Sequence, residues 1–320
     1  MKIPIGDTGR GRRLLAAAVA LALVAAVLYL ARPATVWTLL MATDPVWLTA
    51  AAGAAAAAVI VRGLRLVALL PQGELSFGTG SLVAAAAQAA ALFAPARLGE
   101  LALPWLLRRT TGRDLSSGVG TLVAMRALDI AALALWAGAA TLITWGAGEP
   151  LALVVSAALL AVPAAVPLVV GWGDRLAVRC LAPRGRTGRR WARRVHRLAA
   201  SVSSVRERPR RLIAAAVASV VMWGLLWLTA YLLLVAMGFD WPAIHVVVGS
   251  AMASLGNLVP ITVVGNVGTL EAGWTATFVV LGVPIDVAAA TGLATHLWSL
   301  VFVALYGVAA WLVLSRARPV

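Results

Sequence analysis

The sequence predicts an all-α, polytopic integral membrane protein with about six spanning helices and two re-entrant helical hairpins, arranged as an inverted-topology repeat. Three observations lead there. Of 320 residues, 62% are hydrophobic and only 12% are charged, about half the charged share of a soluble domain. The arginines gather just outside apolar runs of spanning length. Two further apolar runs are each interrupted by a proline, then a glycine, then a carboxylate.

A bilayer-spanning helix needs roughly 20 apolar residues. The runs that qualify are Leu14–Ala31, Val46–Val61, Val119–Trp145, Leu151–Trp172, Leu212–Met237 and Val287–Leu314. The first is too long for the apolar core of a signal peptide and reads as a transmembrane helix. The two interrupted runs are Leu82–Leu107 and Ala243–Val283.

Charge sets their topology. Lys2, Arg10, Arg12 and Arg13 place residues 1–13 in the cytoplasm. Arg62 and Arg65, read as lying just past the second span, and Arg108, Arg109 and Arg113, past the first interrupted run, demand the same side. That run therefore enters and leaves from the cytoplasm. A loop over 173–211, with thirteen arginines between Asp174 and Arg211, is cytoplasmic again, as is the tail 315–320 with Arg316 and Arg318. The second interrupted run must then enter and leave from outside. One transmembrane domain, 14–314, thus divides into inverted halves of about 14–145 and 151–314.

The basic excess, a formal charge of +15, is topological and does not indicate nucleic acid. The 173–211 loop suits anionic lipid headgroups or serves as a surface anchor. A single cysteine, Cys180, excludes an intramolecular disulfide and a multi-cysteine metal site. Neither a metal nor an organic cofactor is expected, because no metal-ligand spacing and no Walker loop is present. No hydrolase motif such as GxSxG is present either, so an enzyme is not expected.

Charges inside apolar runs cost roughly 2.5–3.5 kcal/mol each at the bilayer centre, so those that persist need a reason. In the first interruption Pro95 removes a backbone donor and disfavours helix in the residue before it. Gly99 follows, with Arg97 and Glu100 on either side. Freed amides and the Arg97 guanidinium would make an anion site suited to a phosphate. The alternative is that Arg97 snorkels to the surface and pairs with Glu100. In the second interruption Pro260, Gly265 and Gly268 precede Glu271, among the polar residues Asn257, Thr262, Asn266 and Thr269. A carboxylate there requires a cation, a proton or an arginine, and a protonated structural glutamate is the competing reading. Arg126 and Asp129, three apart, share a helix face and neutralise one another, with contact to the first hairpin as an extension. His296 is a candidate proton relay or a packing residue, and His245 is a weaker candidate still. Gly118 and Gly120 read as helix packing.

Pro95-Ala96-Arg97-Leu98-Gly99-Glu100, the Arg126–Asp129 pair and Pro260…Gly265…Gly268…Glu271 together resemble the lysylphosphatidylglycerol synthase transmembrane-region family, across about residues 14–314. That family includes the flippase domain of the bacterial synthases and stand-alone flippase-like membrane proteins. The resemblance implies a multi-pass protein of the bacterial cytoplasmic membrane with both termini inside. It also implies translocation of an anionic or zwitterionic lipid: a phospholipid, an aminoacyl-phospholipid, or a polyprenyl-linked or hopanoid-type amphiphile. It marks Arg97, Glu100, Arg126, Asp129 and Glu271 as functional positions. The full-length synthases carry a soluble aminoacyl-transfer domain after the membrane region. None follows here, so synthesis of lysylphosphatidylglycerol is not expected. The expected partners are a membrane lipid and either further copies of the chain or a separate lipid-modifying enzyme. In the alternative reading the chain presents lipid to such an enzyme without translocating it.

Overall fold

The computed structural model describes residues 24–93, 99–146, 148–181, 209–256 and 268–316, and for 166–181 and 255–256 only the backbone. All regular structure among the described residues is helical. The helices are α1 (Val24–Ala31), α2 (Pro33–Met41), α3 (Pro45–Leu69), α4 (Phe77–Phe93), α5 (Ala102–Thr111) and α6 (Leu115–Trp145). They continue with α7 (Pro150–Leu181), α8 (Pro209–Ala236), α9 (Ala243–Gly256), α10 (Thr269–Val280) and α11 (Ile285–Arg316).

Among the described residues four helices, α3, α6, α8 and α11, are long and apolar enough to cross a bilayer, and α1 with α2 makes a fifth if the bent pair counts as one span. The bend follows from sequence. Pro33 opens α2 and has no amide hydrogen, while Arg32 before it takes φ 49 and ψ 97, so the axes diverge by 66°. Residues 33–41, between the first two expected spans, are therefore helix. At the next start Asp44 caps α3, its carboxylate accepting from Val46 N at 2.7 Å and Trp47 N at 3.3 Å, with Pro45 pre-set for the first turn. Gly112, at φ 72, ends α5 in the left-handed conformation. Asp114 then leads into α6, and the Ser116 hydroxyl donating to its carboxylate holds that group below the usual carboxylate range.

The second span departs from expectation most. Its helix does not stop at Val61 but continues to Leu69, and Arg65 is buried within the bundle. Arg65 therefore does not mark a cytoplasmic loop. An arginine can be buried there because Asp129 and Ser219 meet it.

Small residues bring the helices close. A Cβ on Gly63 of α3 would sit 2.3 Å from Ser81 Oγ and 2.6 Å from its backbone nitrogen on α4. One on Gly307 of α11 would sit 2.2 Å from Ala89 Cβ. Such approach is how helices associate where lipid removes the hydrophobic drive between them. Gly118 packs in the same way against Pro104, as its sequence context suggests. Aromatic side chains tie distant helices through their polar tips: Tyr306 Oη donates to Ala52 O at 2.8 Å, and Trp311 Nε1 to Ala86 O at 3.1 Å.

Each interrupted run is a pair of packed helices, α4 with α5 and α9 with α10. The helix contacts have a regular pattern. Exchange α2 with α7, α3 with α8, α4 with α9, α5 with α10 and α6 with α11. Every substantial contact then maps onto another: α4–α11 onto α9–α6, α6–α7 onto α11–α2, α5–α6 onto α10–α11, and α3–α8 onto itself.

Candidate functional site

The first site lies where α5, α3, α6 and α8 converge. Glu100 sits in the helical turn Gly99–Leu101 that leads into α5. Glycine is required before it, since a Cβ on Gly99 would lie 1.7 Å from the Ala90 carbonyl oxygen of α4. The turn is thus pressed onto the end of its partner helix, and this delivers the Glu100 carboxylate to α6. Arg126 Nη2 donates to Glu100 Oε1 at 2.9 Å, whereas its other nitrogen is 3.9 Å from Asp129 Oδ2. Asp129 gives its closer contact to Arg65, whose Nη1 also reaches Ser219 Oγ at 3.3 Å.

The pairing expected within Arg126 and Asp129 is therefore redistributed. Each residue turns mainly to a partner on another element, and the extension to the first hairpin is realised through Glu100. Along α6 the two groups stand 3.9 Å apart, while Glu100 comes within 2.9 Å of Arg126.

Arg62, three positions before Arg65 on α3, completes the group. It stands within electrostatic reach of Arg65, Asp129 and Arg126. Its Nε donates to the thioether of Met222 at 3.3 Å, a weak acceptor, and no carboxylate pairs with it among the described residues. Arg65 Nε is likewise buried without a partner. Among the described residues three guanidiniums thus face two carboxylates, leaving one positive charge in excess. The Arg126 side chain is 52% exposed and that of Glu100 26%, against 2% for Arg65, so the cluster runs from an accessible edge into the interior.

The second site lies between α10 and α11. Glu271 is completely buried. One carboxylate oxygen accepts from Gly268 N at 2.7 Å and the other meets His296 Nδ1 at 2.5 Å. Gly268 holds φ 105, a conformation that glycine alone adopts cheaply.

The sequence-derived positions divide accordingly. Glu100, Arg126 and Asp129 come together, Glu271 belongs to a separate pair, and Gly99 and Gly268 shape the two turns. Arg97, Asn257, Asn266, Pro95, Pro260 and Gly265 lie outside the described residues. Arg62 and Arg65 were read as loop charges and belong to the site. The signal for them is the apolar run Leu66–Leu70, which carries the helix past both arginines. His296, weighed between relay and packing, meets the Glu271 carboxylate through its Nδ1. No cluster of three metal-ligating side chains occurs among the described residues.

No curated protein and no solved structure matches the chain. Its sequence does match one family over residues 14–307, nearly its whole length. With that match, the chain belongs to the family described as the lysylphosphatidylglycerol synthase TM region.

Proposed function

We propose that this protein is a flippase-like transporter that moves a lipid with an anionic or zwitterionic headgroup across the bacterial cytoplasmic membrane. The observation that carries the reading is Arg62. A guanidinium beside two other arginines, with a thioether as its acceptor, leaves a positive charge that a phosphate oxygen would complete. Arg126, half exposed, would meet the headgroup first, and Arg62 would receive it deeper. The acyl chains would stay in lipid.

The helix contacts support a transport architecture. If α4–α5 and α9–α10 each return to the face they left, each half crosses the membrane an odd number of times and the halves are inverted. The exchangeable contact pattern fits such a repeat. Transporters of this kind place their substrate sites at interrupted helices near the repeat interface. Both termini would be cytoplasmic. The chemistry proposed is binding and movement, with no bond made or broken.

Vesicles reconstituted with the full chain and labelled phospholipids test it. The chain should accelerate transbilayer movement of at least one anionic or zwitterionic class, and Arg62→Ala should slow that movement about tenfold or more, as expected for one charge-assisted hydrogen bond. Arg62→Lys should retain part of it. Movement no faster than in protein-free vesicles, or full activity in Arg62→Ala, would overturn the reading. Saturable lipid binding without movement would point to a lipid-presenting subunit.

A further inference from the structure

The two halves hold equivalent carboxylate–base pairs of different chemistry. Glu100 leads into α5 and meets Arg126 on α6. Glu271 opens α10 and meets His296 on α11. The exchange that maps helix contacts onto one another maps α5–α6 onto α10–α11. The partners even stand at similar separations along the chain, 26 positions in the first case (126 − 100) and 25 in the second.

Their protons differ. A guanidinium does not give up its proton, and the Arg126 pair is partly exposed. The His296 ring is an imidazole, which can carry one proton or two. It is 6% exposed, and Glu271 not at all. Proton counting then defines two states. With two protons on the pair, the site is neutral, whether written as carboxylate with imidazolium or as carboxylic acid with imidazole. With one, Nδ1–H still bridges to the carboxylate, but a net negative charge is left inside the bundle, at considerable cost.

The surroundings offer places for water. Trp274 Nε1, Thr275 Oγ1 and Thr295 Oγ1 are buried and have no hydrogen-bond partner among the described residues. Trp274 and Thr275 lie three and four positions after Glu271, on its face of α10. The Trp274 indole lies over Gly292 of α11, where a Cβ would be 3.3 Å from Nε1, and Thr295 is one turn further along that helix. A bound water needs two to four polar partners, and these two helices carry three such atoms.

Among the described residues no other charge is placed to neutralise the site. On the helices packed against α10, α9 contributes His245 near its start, and α11 contributes Asp286 and Arg316 near its ends. Of the helices against α11, α2 and α4 carry no charged residue. Arg210 and Arg211 lie at the start of α8, while Arg62 and Arg65 of α3 belong to the first site. Among the described residues only His296 pairs with Glu271.

We infer that Glu271 and His296 form a proton-binding site, hydrated through Trp274, Thr275 and Thr295, whose loading and release drives the lipid movement proposed above. The coupling rests on that lipid reading; the proton site does not. Two measurements on the full chain in vesicles separate them. Infrared difference spectra between acidic and alkaline buffer should contain carboxyl or imidazole bands that disappear in Glu271→Gln and in His296→Gln. Identical spectra in wild type and both variants would overturn the proton site, whatever the lipid assay shows. Labelled-lipid movement under an imposed pH gradient should be accelerated in wild type, with proton flux seen by an entrapped pH dye. Both responses should be lost in the two variants. Lipid movement that ignores the gradient in wild type would overturn the coupling. Absence of lipid movement with the spectral bands present would instead defeat the lipid reading. Thermal unfolding of each variant controls for the fold, and His296→Asn gives a second, smaller replacement should His296→Gln unfold.

Discussion

Arg65 on α3 and Asp129 on α6 form an ion pair inside the bundle, the arginine side chain 2% exposed and the aspartate 15%. The pair fastens the second span to the helix that carries the rest of the first site.

Removing one member leaves a buried charge. Arg65→Ala or Asp129→Asn should destabilise the protein by about 3–5 kcal/mol, read as a lower midpoint of thermal unfolding in detergent. The double variant Arg65→Met with Asp129→Leu should recover most of that loss. An unchanged midpoint in the single variants would contradict the pairing.

Glu74 and Arg113 give the contrast. Their contact is short, 2.6 Å, yet the side chains are 34% and 27% exposed. Solvent screens such a pair, so Glu74→Gln should cost less than about 1 kcal/mol in the same assay.

Gly99→Ala should act on both fold and site. Its methyl would collide with the Ala90 carbonyl, 1.7 Å away, and push the turn that presents Glu100. A loss of about 1–3 kcal/mol is expected from overpacking, together with slower lipid movement. Gly53→Ala, on the same scaffold but with nothing within 4 Å of the new methyl, should be neutral or slightly stabilising.

Gly268 and Gly282 separate backbone strain from chemistry. Both hold positive φ, 105 and 89, so alanine at either should cost about 1–3 kcal/mol. Only Gly268 donates to Glu271. Gly268→Ala should therefore also alter the pH-dependent infrared bands, and Gly282→Ala should leave them unchanged.

Some of this was legible in sequence and some was not, and the arginines of α3 show why. Counting charges places Arg62 and Arg65 at the end of a span, because an isolated arginine in lipid is costly. The carboxylate that pays for Arg65 lies 64 positions away, on a helix whose rotation no local pattern encodes. The same holds for His296. Its neighbours Thr295 and Ser299 are unremarkable, and its role depends on a glutamate 25 positions earlier. By contrast, Glu100 and Glu271 stood out from the sequence because proline and glycine interrupt apolar runs beside them, and interruption is a local property.

The sequence by itself determined the class of the protein: a helical membrane chain of one family, the approximate positions of four of the six spans it predicts, and the two places where apolar runs break. Hydropathy, helix length and proline chemistry act over a few turns and need no knowledge of neighbours. Only the tertiary structure decided which charges meet. It took Asp129 largely from Arg126 and gave it to Arg65, left Arg62 facing a thioether, and closed His296 on Glu271. Charge pairing depends on atoms a few ångströms apart, and only packed helices bring distant residues to that distance.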